Sequence, residues 1–222
     1  MELTETDRQK LLQDGWLERG CREGADIMRI AQQLGRPVPS RRNAPLIDRL
    51  MPTRQEDAHP RSLSAVYGVG EFPFHTDAAY VPVPPRFMLL HLVEGTSDRP
   101  TLLHDVYLFP FTEEEKRIMS REVWLVNGGR GRFLTSLIND TLMPGFTIVR
   151  HDRGCMKPAY QTFGQSSLIL EGYCRKTDPL TISWTRELVL ILDNWRMLHA
   201  RGRSSDVDNE CRVLERVLVM VD

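Results

Sequence analysis

The chain has 222 residues, with 29 Lys and Arg against 30 Asp and Glu, and a formal net charge of −1. That length suits one large domain whose core needs no staples, and the charge balance gives no overall basic field for nucleic acid or anionic lipid. Four scattered cysteines, Cys21, Cys155, Cys174 and Cys211, form no C-x-x-C pair; this argues against a zinc cluster and for free thiols in a reducing compartment.

The opening "MELTETDRQK" is polar, without the apolar stretch of a signal peptide, and the apolar runs are too short to span a membrane. A cytoplasmic location is the expectation. Thr4 with Asp7 is placed to cap a first helix carrying Leu11 and Leu12. "GWLERG" reads as a brief strand. Ile27, Ile30, Ala31 and Leu34 follow the i, i+3, i+4, i+7 spacing of a second helix, which Gly35 stops and Pro37 closes off. Residues 36–61, rich in Pro and Arg, read as a long connection.

From there β signals dominate. "SLSAVYG", "RFMLLHLVE", "EVWLVN", "FTIVRHD", "LTISW", "ELVLILD" and "RVLERVLVMV" are short and rich in β-branched or aromatic residues. Thr112 followed by Glu113, Glu114 and Glu115 predicts an inserted helix with acidic groups in its first turn. A further helix falls within 159–175. Two short arginine clusters, Arg41–Arg42 and Arg130 with Arg132, read as solvated surface. No G-x-G-x-x-G or Walker A loop supports a nucleotide-binding doubly wound fold. A helical segment over 1–40, followed by many short strands, predicts a mainly β sandwich or barrel with flanking helices.

The stretch "EFPFHTDAAY" places His75 and Asp77 two apart. On a strand such residues point the same way, so an imidazole and a carboxylate could reach one ion together. With a second histidine from elsewhere they would make the 2-His-1-carboxylate set that suits non-haem Fe(II). Alone, the spacing is equally that of a surface His–Asp pair after a turn. A second element is "ELVLILDNWRMLHARGR", where an apolar strand ends at Asp193-Asn194 and His199 follows. A third is the last strand, on which Arg212, Leu214, Arg216, Leu218 and Met220 share one face in period two. Guanidinium groups among Leu and Met need anionic partners, which internal aspartates or glutamates could also provide.

Together, "PFHTDAAYVPVPPRFMLL", "LVLILDNWRMLHARGR" and "RVLERV" resemble the taurine dioxygenase/clavaminate synthase-like family of Fe(II)- and 2-oxoglutarate-dependent oxygenases. The resemblance covers 15–221 in outline and is sharp over 72–105 and 184–217. It implies a double-stranded β-helix, or jelly roll, as the core of a single oxygenase-like domain over 1–222. It further implies His75, Asp77 and His199 as iron ligands, and Thr101 and Arg212 as partners of the far carboxylate of 2-oxoglutarate. Arg216 matches a second arginine that contacts cosubstrate or an anionic substrate. Four residues of strand rise ~13 Å, so the two arginines are not expected to grip one small carboxylate from the same side.

The implied activity is oxidation, usually hydroxylation, of a small molecule with O2, while 2-oxoglutarate gives succinate and CO2. Asp77 argues against halogenation, because related halogenases lack that carboxylate. The expected substrate is an amino acid or a specialised-metabolism intermediate, in some readings anionic; a homo-oligomer is left open. "SDRPTLLHD" lacks the Gly-Gly pair common before the threonine, and a short connection between the first ligand pair and His199 suggests an open pocket or one completed by a partner. His91, His104, His151 and Arg201 read as structural. Trp195 reads equally as pocket lining or packing, and Glu71 and Phe74 flank the ligands. Two other readings remain: a non-catalytic ligand-binding protein on the same scaffold, and a cupin-like metalloenzyme that does not use 2-oxoglutarate.

Overall fold

The structure is a computed structural model that describes residues 2–20, 27–60, 62–95, 98–128, 131–141, 143–160, 164–204 and 212–221. Cys21, Cys211 and Arg130 lie outside the described residues; Cys155 and Cys174 are free thiols. Helix α1 (Glu5–Asp14) starts in a capping box of Thr4 and Asp7 and ends at Gly15, whose φ of 77° needs no Cβ penalty. There follow β1 (Trp16–Gly20), α2 (Ile27–Gln32), β2 (Arg36–Val38), β3 (Ile47–Leu50), α3 (Ser64–Tyr67), β4 (Phe87–Glu94) and β5 (Thr101–Asp105). Next come α4 (Glu113–Arg121), β6 (Trp124–Gly128), β7 (Gly131–Thr135), β8 (Ile138–Asp140), β9 (Thr147–Val149), β10 (Met156–Pro158) and α5 (Gln165–Lys176). The chain closes with β11 (Leu180–Ile182), β12 (Leu188–Asp193), β13 (Met197–Arg201) and β14 (Val213–Met220).

The largest sheet runs β1-β12-β4-β14-β2, with β3 also on β14, and its pairings are antiparallel. A smaller antiparallel sheet has the order β11-β5-β13. Alternation along the large sheet decides which layer each side chain joins. Phe87, Leu89, Val189, Ile191, Val217 and Val219 pack against Leu11, Ile27, Ile30 and Ala31 of α1 and α2. Their neighbours Met88, Leu90, Leu190, Leu192, Leu214 and Leu218 pack against Leu103, Ile182 and Met197 of the smaller sheet. Both faces of the large sheet are therefore covered, which is why β4 and β12 read as nearly unbroken apolar runs. The result is the mainly β, jelly-roll type of sandwich with flanking helices that the sequence suggested. Helices α4 and α5 enclose a third core with β6 and β9, around Met119, Trp124, Val126, Val149 and Leu170.

Two expectations change. "SLSAVYG" is not a strand: Tyr67 N–H donates to the Leu63 carbonyl at 2.9 Å and Gly68 N–H to Ser64 at 2.8 Å, forming the single turn α3. The connection 36–61 holds β2 and β3, which share the outer side of β14. Pro37 fits there because an edge strand has one side free of ladder bonds. Among the described residues, no helix is long and apolar enough to cross a membrane.

Ile191 lies fully buried on the helix-facing side of β12. Ile191→Ala is expected to lower unfolding free energy by about 2–5 kcal/mol, seen as a lower urea midpoint at unchanged slope.

Candidate active site

All six residues singled out in the sequence line one cavity of about 920 Å³: His75, Asp77, Thr101, His199, Arg212 and Arg216. The segment carrying the first two runs antiparallel to β13. Phe72 N–H donates to the Arg201 carbonyl at 3.0 Å, and His75 and His199 exchange backbone hydrogen bonds of 3.0 and 3.1 Å. This places the two imidazole rings 4.2 Å apart, centre to centre. Between the two predicted ligands, Thr76 anchors the chain: its Oγ1 donates to the Val149 carbonyl at 2.9 Å and its N–H to His151 at 2.8 Å.

The turn after Asp77 is held from several sides. Ala78 adopts φ 53°, a left-handed conformation that costs a residue with a Cβ on the order of 1–2 kcal/mol. The Asp77 carboxylate accepts its N–H at 2.9 Å. Asn194, wholly buried, accepts the Asp77 N–H at 2.8 Å and donates to the carbonyls of Asp77 (3.0 Å) and Pro85 (2.9 Å). Arg150 donates to the carbonyls of Ala79, Val81 and Pro82. Gly128 packs against this turn so closely that a Cβ there would stand 2.3 Å from the Tyr80 carbonyl oxygen.

Arg216 Nη1 donates to both oxygens of Asp77, at 3.1 and 2.9 Å, and Nη2 donates to Asp48 at 2.7 Å. The strand register explains the second contact, since Arg216 on β14 faces Asp48 on β3. Internal aspartates therefore pair this arginine, one of the two readings the strand pattern left open. Burial pushes the Asp77 carboxyl up, but Arg216, then His199 and His75, outweigh that and hold it below the usual carboxylate range. Burial, reinforced by His75, pushes His199 down to about 3, so its imidazole is neutral near pH 7.

Arg212 Nη1 donates to the Arg99 carbonyl at 3.1 Å, and Trp184 Nε1 donates to Thr101 Oγ1 at 3.1 Å. Trp184 and Asn194 were not assigned roles from sequence. Their contacts are long-range and no local pattern announces them. His91, His104 and His151 bond to the carbonyls of Arg186, Cys174 and Phe74 respectively. Arg201 donates to Gly68 and Gly70 and stacks over Phe72 at 3.5 Å. Trp195 is buried with Nε1 on the Pro84 carbonyl, so it packs. All five fit structural roles.

The donor set suits a ferrous ion in chemistry: one ionised carboxylate and two imidazoles, His199 being held neutral. His75 Nδ1 sits 2.9 Å from the Pro73 carbonyl, the outer contact that leaves Nε2 for a metal, and His199 Nδ1 is buried without a partner among the described residues. The set is not closed around one point. Among the described residues no three His, Cys, Asp or Glu side chains stand ready to hold an ion, and the Asp77 carboxylate is engaged by Arg216. An ion would share Asp77 with that arginine or take it over.

No family model matches the chain, and no curated protein matches it in sequence. Solved structures do. An asparagine oxygenase, AsnO, aligns with a TM-score of 0.76 at 14% identity, covering 98% of this chain and 78% of that one. The non-haem iron oxygenase OrfP in complex with Fe, succinate and (3S)-hydroxy-L-Arg gives 0.70 at 15%, covering 99% and 82%. PvcB from Pseudomonas aeruginosa gives 0.67 at 18%, covering 96% and 78%. The fold is thus the one found in non-haem iron oxygenases, in agreement with the resemblance read from the sequence motifs.

Replacing Asn194 by Ala leaves the Asp77 N–H and two buried carbonyls without their partner. Asn194→Ala is expected to cost about 2–4 kcal/mol of stability, read by denaturant titration.

Proposed function

We propose that residues 1–222 form an Fe(II)- and 2-oxoglutarate-dependent oxygenase domain that oxidises, most simply hydroxylates, a small molecule such as an amino acid. The observation that carries this reading is the convergence of His75, Asp77, His199, Thr101 and Arg212 on one cavity of the oxygenase fold. The free Cys155 and Cys174 thiols support a reducing, cytoplasmic setting.

His75, Asp77 and His199 would hold the ion. Ferrous iron, when bound, would supply the O2 chemistry that couples conversion of 2-oxoglutarate to succinate and CO2 with substrate oxidation. Arg212, buried at the wall of the cavity that Thr101 also lines, would pair with the far carboxylate of 2-oxoglutarate, a task for which a planar guanidinium is suited. Trp184 holds the Thr101 hydroxyl by its oxygen, which leaves the hydroxyl proton to donate to that carboxylate. Asn194 fixes the backbone at Asp77 and Arg150 fixes the turn that follows it, so the carboxylate does not have to be ordered when metal arrives. Arg216 keeps Asp77 ionised. Its other arm pairs with Asp48, so both ends of the guanidinium are engaged.

One observation favours the second reading, a ligand-binding protein without catalysis: Asp77 is engaged by Arg216. The two separate in one experiment. Adding Fe(II) and 2-oxoglutarate without O2 should give the weak visible charge-transfer band of the chelate, absent in His199→Ala. In Arg212→Ala, about 10–100-fold more 2-oxoglutarate should be needed. Absence of the band in the native protein would favour the non-catalytic reading.

A further inference from the structure

The arginine cluster Arg41–Arg42 and the cation at 132 read as ordinary solvated surface in the sequence. The structure places them on the same cavity as the metal-ligand residues, together with Lys157. They arrive from three separate parts of the chain: the turn between β2 and β3, the strand β7, and the strand β10. All four side chains belong to exposed residues, and none makes an ion pair among the described residues. Arg132 has only a neutral partner, the Asn127 side-chain oxygen at 2.9 Å. Among the described residues, the carboxylates on the cavity are Asp77, already on Arg216, and Asp152, which accepts the Gly154 N–H at 2.7 Å.

Among the described residues, a chain of net charge −1 has thus gathered four cations at one opening against a single carboxylate, Asp152, that is not already on an arginine, and low-dielectric walls concentrate their field. A cosubstrate held by Arg212 would account for one of the inner arginines, and Arg216 is occupied by Asp77 and Asp48. Arg41, Arg42, Arg132 and Lys157 remain beyond what a zwitterionic amino acid and 2-oxoglutarate require. We infer that the mouth of the cavity is a second anion site, and that the molecule oxidised there carries a phosphate or additional carboxylate group remote from the reacting carbon. Calling that molecule the substrate rests on the oxygenase reading; the anion site itself does not.

The test is calorimetric titration of inorganic pyrophosphate into metal-free protein at fixed ionic strength, with saturating 2-oxoglutarate present. The native protein should bind one pyrophosphate per chain, and Arg41→Gln/Arg132→Gln/Lys157→Gln should bind it at least tenfold more weakly. A charge-matched control on the exposed face of α4, Lys116→Gln/Arg117→Gln/Arg121→Gln, should bind as the native protein does. Citrate in a parallel arm tells a polycarboxylate preference from a phosphate preference, and either one upholds the site. Failure of the native protein to bind both anions, or equal binding by the cavity variant, overturns the inference. Pyrophosphate binding without an anaerobic Fe(II)–2-oxoglutarate band would uphold the anion site and reject the oxygenase reading instead.

Discussion

A carboxylate buried beside two imidazoles needs a cation, and in this fold Arg216 provides it. Removing one partner from such a buried pair typically costs ~3–5 kcal/mol, so the guanidinium is a condition for placing Asp77 at the cavity floor at all. Asp48 completes the arrangement by holding the other arm of the guanidinium, and Ser40 holds Asp48 in turn at 3.1 Å. The edge strand β3 exists in the right register to bring that second carboxylate over β14. The local result is one positive charge between two negative ones, a region ready to accept further positive charge. A divalent ion is the natural addition, and binding it would redistribute Arg216 between Asp77 and Asp48.

The rest of the architecture serves the precision of that corner. The large sheet is covered on both faces, so β14 and its Arg216 are fixed by apolar packing above and below. The turn carrying Asp77 is tied to β12 through Asn194, to the end of β9 through Thr76 and Arg150, and to β13 through His75. The left-handed Ala78 is tolerated because these contacts over-determine it. Elsewhere on the cavity, Arg212 and Thr101 are braced by Arg99 and Trp184. The cavity thus carries both buried, braced side chains and exposed cations.

Much of the site was legible in the sequence because strand periodicity is a strong rule. Period two put His75 with Asp77 and Arg212 with Arg216; the structure brings each pair to the same cavity, although Asp77 lies in the turn after an isolated bridge at His75 and Arg212 just precedes β14. The packed apolar strands β4 and β12 were legible for the same reason. What escaped was set by contacts distant in sequence. Asn194 reaches Asp77 across 117 residues, and nothing near either residue signals it. β2 and β3 are too short, and β2 too rich in proline, to stand out as strands; they exist because β14 offers them an edge. Arg41 and Lys157 look like surface charges until the fold brings them to one opening.

The central claim is that His75, Asp77 and His199 form one metal site although Asp77 rests on Arg216. Anaerobic titration of the metal-free protein with Co(II), followed by its visible ligand-field absorption, tests this directly. The account predicts saturation at one ion per chain, with the signal lost in both Asp77→Ala and His199→Ala variants that remain folded by circular dichroism. No saturable signal in the native protein, or an unchanged signal in either variant, would contradict it.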